Sequence, residues 1–183
     1  RVSLATDHNP SIRTENVFFS LFIFFFLFLP FIIRNLSNTL RIFTRTMFLI
    51  IPIIIIFIFY LYKFQVVHKY NLIGGHWIHN IIPLFIVENI SQKIVSFIPI
   101  LIAAMSLLSF QLYSKSAQVF YPVWFLSLIP LGLIEMRYYI PHMTLFLLFK
   151  RSENSRLEWF QSFYLIIISV IFCYLFIEYG IFL

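Results

Sequence analysis

Three segments of the chain gather side chains able to do chemistry. The longest is 65–80, Q-V-V-H-K-Y-N-L-I-G-G-H-W-I-H-N, which holds His68, Lys69, Tyr70, His76, Trp77 and His79 around Gly74-Gly75. Three histidines raise the question of a metal. His76 and His79 have no third ligand at helical spacing, however, and the segment contains no carboxylate, whereas zinc sites assemble three or four ligands. The sequence therefore predicts no metal and no other cofactor. Two readings remain for the segment. One is an interfacial loop with Tyr70 and Trp77 at headgroup depth. The other is recognition of a lipid-linked phosphate, for which His68 and Lys69 are suitable donors.

The second cluster is L-I-E-M-R-Y-Y-I-P, residues 133–141. Glu135 and Arg137 stand at a boundary between apolar runs, where charge is costly and tends to face a cavity or a partner. Two residues apart, they do not share a helix face, so an intrahelical ion pair is not expected. The plainer alternative has Arg137 snorkelling to an interface. The third cluster, T-D-H-N-P at 6–10, offers Asp7 as a carboxylate. An Asp close to a proline is more often a turn residue than a base or ligand. Two Asn-x-Ser sequons, at Asn35 and Asn89, complete the set.

The elements that must position these groups follow from composition. Of 183 residues, 61% are hydrophobic and 11% charged, with 25 Phe, and the mean hydropathy is +0.94. A soluble domain carries about a quarter charged residues, and disorder needs low hydrophobicity, so both classes are excluded. One Cys rules out an internal disulfide. The class predicted is an all-α, polytopic transmembrane helix bundle of five to six spans, near 17–33, 47–62, 94–110, 117–134, 138–149 and 159–177. Residues 1–16 form a polar leading segment, unlike a cleavable signal. Runs such as 53–60 lack the alternation of barrel strands. Prolines at 30, 52, 99, 122 and 130 predict kinks within the spans.

The net charge of +6 does not imply nucleic acid, because the basic residues are dispersed among short loops rather than forming a stripe. The lipid bilayer is the partner expected. With six spans, Arg34, Arg41, Arg45, Lys115, Lys150, Arg151 and Arg156 share one side, read as cytosolic. The other side receives residues 1–16, the 64–88 connection and the 135–137 turn, and is read as lumenal.

Taken in order, these motifs resemble the C-terminal part of the endoplasmic-reticulum dolichyl-phosphate-glucose-dependent alpha-1,2-glucosyltransferase family, which adds the terminal glucose of the lipid-linked oligosaccharide. The resemblance runs from Thr6-Asp7 before a Phe-rich span, through His68-Lys69-Tyr70 and Ser114-Lys115-Ser116. It ends at Leu133-Ile134-Glu135-Met136-Arg137-Tyr138-Tyr139-Ile140. The chain departs from the family where Gly74-Gly75-His76-Trp77 replaces an Asp-Asn-Arg-His run. Ser11 and Asn16 stand where the family has histidines.

The resemblance implies a multi-pass membrane enzyme with the C-terminal half of a GT-C type glycosyltransferase fold. It would transfer glucose from dolichyl phosphate glucose to the dolichol-linked oligosaccharide used in protein N-glycosylation. His68, Lys69, Glu135, Arg137, Tyr138 and Asp7 are the implied substrate-binding residues. The catalytic base is expected in an acidic motif of a preceding N-terminal half, so a chain starting at Arg1 is expected to be a catalytically incomplete piece. The competing expectation is a small non-catalytic subunit of an organellar or other membrane complex. A transporter would show internal inverted repeats, and none is evident.

Overall fold

The computed structural model describes residues 12–66, 81–131, 133–152 and 154–179. Its elements are helices: α1 (Glu15–Leu27), α2 (Leu29–Arg45), α3 (Ile50–Lys63), α4 (Ile81–Glu88), α5 (Ile90–Ser109), α6 (Phe120–Leu128), α7 (Ile140–Phe149) and α8 (Ser155–Tyr179). Short 3-10 turns precede α3, α6 and α7. No strand occurs among the described residues beyond an isolated bridge between Leu112 and Lys150. The all-α expectation is met despite the Ile, Val and Phe richness. A helix satisfies its backbone within itself, which an apolar environment demands.

The span count is corrected. Among the described residues two helices, α5 and α8, are long and apolar enough to cross a membrane, or three spans result if the bent α1–α2 pair counts as one. The prolines account for the difference. Pro30, Pro52, Pro83, Pro122 and Pro141 each sit in the first turn of a helix rather than in its interior. There the missing N–H has no intrahelical role, and the fixed φ suits a helix start. Residues read as kinks within long spans are therefore mostly starting points of short helices. The 117–134 run becomes a 3-10 turn and the nine-residue α6, which ends before Pro130. The 138–149 run yields the ten-residue α7. The 14-residue α3 is about 21 Å long, short of the ~30 Å hydrocarbon core. Among the described prolines, only Pro99 lies inside a helix, α5.

The 17–33 run breaks at Phe28, and α1 and α2 meet at 101°. Pro30 cannot donate to the Phe26 carbonyl, and the turn frees Leu27 as well. α8 meets both needs: the Tyr164 hydroxyl donates to Phe26 O at 2.7 Å, and Gln161 Nε2 donates to Leu27 O at 2.6 Å. Gln161 is buried here although it belongs to an otherwise outward-facing helix.

α5 is the centre of the bundle, packed against α1, α2, α3 and α4. Its buried face includes Ser96, Ala103 and Ser106, the small residues that let helices approach closely without glycine. Across it lies an aromatic core. Phe146 of α7 meets Phe24 at 4.9 Å, Phe28 at 5.3 Å and Phe110 at 5.4 Å. Trp124 meets Phe24 edge-to-face at 5.8 Å. Tyr60 is buried with its hydroxyl 2.8 Å from Ser96 Oγ.

Candidate functional site

The segment between α6 and α7 is anchored from the start of α1. Asn16, fully buried, donates from Nδ2 to Leu131 O at 2.7 Å and accepts the Tyr139 hydroxyl on Oδ1 at 2.7 Å. The Arg13 amide donates to Ile129 O at 2.8 Å. Ile129 and Leu131 ahead of the motif, and Tyr139 within it, are thus pinned on either side of its charged members. Nothing in the spacing of Asn16 marked it as structural; its one signal is a lone amide at the start of a Phe run.

Glu135 has an extended backbone (φ −150°, ψ 135°), and Met136–Tyr138 form a 3-10 turn. The extended residue removes the helical geometry that would separate positions two apart. Arg137 Nε consequently lies 2.7 Å from Glu135 Oε1. The ion pair not expected on a helix is present because the backbone there is not helical.

The pair is asymmetric. The Arg137 side chain is 62% exposed and that of Glu135 only 15%. Burial pushes the Glu135 carboxyl above its ordinary value, while the Arg137 charge pulls it back down. Its second oxygen, Oε2, is buried and accepts no hydrogen bond among the described residues. Arg137 is held firmly protonated, first by its hydrogen bond with Tyr138 and then by Glu135. The Tyr138 ring lies 5.4 Å from the guanidinium centre. A half-buried carboxylate thus orients a guanidinium that keeps donors free for an anion.

Met136, between the two charges, also lines an apolar cavity of about 350 Å³ formed by α1, α4 and α8. Phe22, Phe26, Tyr164, Ile168 and Phe172 supply much of its wall. Apolar volume and exposed cation therefore meet at one turn.

Of the residues singled out in the sequence, Glu135, Arg137 and Tyr138 come together. Asp7, His68 and Lys69 lie outside the described residues, as do His76 and His79. Among the described residues no group of three or more His, Cys, Asp or Glu could hold a metal ion. The Asn35 sequon is engaged internally, since Asn35 is buried and its Nδ2 donates to Ser109 Oγ. Asn89, in the other sequon, is exposed at the α4–α5 junction.

The fold and this site are what the chain itself supplies: no protein-family model, curated protein or solved structure matches it.

Proposed function

We propose that the chain belongs to a membrane glycosyltransferase of GT-C type. It would act in the endoplasmic reticulum, moving glucose from dolichyl phosphate glucose to the dolichol-linked oligosaccharide. The observation that supports this reading is the Glu135–Arg137 pair beside the apolar cavity at Met136. A polyprenyl phosphate has the matching form, a long apolar chain ending in an anion.

In the proposed transfer, a carboxylate base takes the acceptor hydroxyl proton as the new bond to the glucose anomeric carbon forms. The bond to the phosphate oxygen breaks, and its electron pair leaves with dolichyl phosphate. A cation positioned where that charge develops lowers the barrier. Arg137 takes this role, with Lys69 and His68 expected to join it. Glu135 is a positioning residue that acts through Arg137.

Glucose transfer to lipid-linked oligosaccharide, measured in membranes carrying the full-length protein, tests the proposal. Arg137→Ala is expected to reduce transfer about 100-fold, the scale of losing one preorganised charge donor, with partial recovery in Arg137→Lys. Transfer unchanged in Arg137→Ala would sink the reading. A second reading, a non-catalytic membrane subunit, draws on α8, whose apolar stretch is only 6% buried within the chain. Stoichiometric co-purification with a fixed set of membrane partners, without transfer activity, would favour it.

A further inference from the structure

At the other end of α7 lies a second polar site, built on α2. That helix has three faces. Phe31, Asn35 and Thr39 are buried, and both Asn35 and Thr39 hydrogen-bond Ser109 Oγ at the end of α5. Ile33, Leu36, Leu40 and Phe43 form an exposed apolar stripe. Arg34, Ser37, Asn38 and Arg41 form an exposed polar one. A helix with apolar and basic exposed stripes, set at 101° to the apolar α1, has the form of one lying in the plane of a membrane interface.

The polar stripe borders a pocket of about 230 Å³ between α2 and the α7–α8 connection. Arg34, Asn35, Ser37 and Asn38 line one side, and Lys150 and Leu157 line the other. Lys150 is only 6% exposed. Its Nζ lies 4.3 Å from the Phe31 ring centroid, donates to Arg151 O at 3.0 Å, and stands 3.8 Å from Glu158 Oε1. An ammonium has three donors, so one remains for a ligand. Asn38 uses one amide hydrogen on Asn35 Oδ1 at 2.9 Å and keeps the other. A neighbouring cavity of about 380 Å³ shares Phe31 and Lys150; Leu147, Leu148 and Leu165 form an apolar wall, and Ser152, Glu158, Gln161 and Ser162 a polar one. Glu158 is the one acid among the described residues lining either cavity.

We propose that this pocket binds the phosphate of an anionic membrane phospholipid. Arg34, Asn38 and Lys150 would donate to the phosphate oxygens, and an acyl chain would lie along Leu147, Leu148 and Leu165. Basic pockets between membrane helices hold acidic headgroups in this way. A free phosphate shares the head chemistry but leaves the leucine wall of the neighbouring cavity unused. The site is separate from Arg137 and independent of the transferase reading.

The test is thermal unfolding of the full chain in a neutral detergent, titrated with phosphatidic acid, phosphatidylcholine or inorganic phosphate. Phosphatidic acid is expected to raise Tm saturably, and the other two are expected to leave it unchanged at equal concentration. Arg34→Gln, at an exposed position that leaves the fold intact, is expected to weaken the phosphatidic acid effect about tenfold. Arg41→Gln makes the same charge change on the same stripe outside the pocket and is expected to stay within about twofold of the wild type. The proposal is overturned if Arg34→Gln binds like the wild type or if Arg41→Gln weakens binding equally. Protection by inorganic phosphate or phosphatidylcholine matching that of phosphatidic acid overturns it too.

Discussion

The two ends of α7 carry ion pairs of opposite sense. Before the helix, the side chain of Glu135 is 15% exposed and that of Arg137 62%. After it, the side chain of Lys150 is 5% exposed and that of Glu158 40%. The first arrangement pushes a cation outward on a buried support. The second holds a cation inside a pocket that a ligand must enter. Ion-pair identity alone hides this difference, and burial reveals it.

The most severe way to break the comparison is to cut the element joining the two ends. Phe146→Ala removes the ring that meets Phe24, Phe28 and Phe110, and is expected to cost about 3–5 kcal/mol. Denaturant or thermal unfolding in detergent would read the loss. A cost below about 1 kcal/mol would show that the aromatic core does not tie the ends together.

Removing each carboxylate sharpens the contrast. Glu158→Leu leaves the buried Lys150 with only the Arg151 carbonyl and the Phe31 ring among the contacts described, and is expected to destabilise the chain by about 1–2 kcal/mol. Glu135→Gln instead relieves a desolvated carboxylate whose partner is mostly solvated, so stability is expected to stay within about 0.5 kcal/mol. Equal costs for the two substitutions, in the same unfolding assay, would erase the asymmetry.

The smallest effect is a pH dependence. Burial raises the folded Glu135 carboxyl above the ordinary 4.5, so the folded state binds its proton more tightly than the unfolded chain. The stability contributed by this group is complete below 4.5 and is lost as pH rises through the raised folded value. Unfolding midpoints across pH 4–7 are expected to fall less steeply in Glu135→Gln than in the wild type. Identical slopes would place the carboxyl in solvent.

Helical class and apolar character were legible in the sequence, because runs such as 94–110 and 159–177 leave no other solution. Span bounds at Pro30, Pro52 and Pro122 are not legible there, since a proline inside an apolar run looks the same whether it kinks a helix or begins one. Only the tertiary partners of the freed carbonyls distinguish the cases. Glu135 and Arg137 were visible as charges at an apolar boundary, but their pairing depended on an extended residue that no spacing rule encodes. Lys150 looked like an ordinary loop cation because its burial comes from Phe31, more than a hundred residues earlier in the chain. Gln161 likewise shows its purpose only once the bend at Phe28 is seen.

That bend has a consequence for how the chain is made. The corner between α1 and α2 is made before α8, and Gln161 and Tyr164 reach back to it across separations of 134 and 138 residues. Until α8 emerges, two backbone carbonyls at the corner wait without those donors. Biogenesis therefore runs against the order of synthesis at this point. This turn is finished by a helix made well after it, and a nascent chain stopped before Gln161 holds an open corner for the quality-control machinery to recognise.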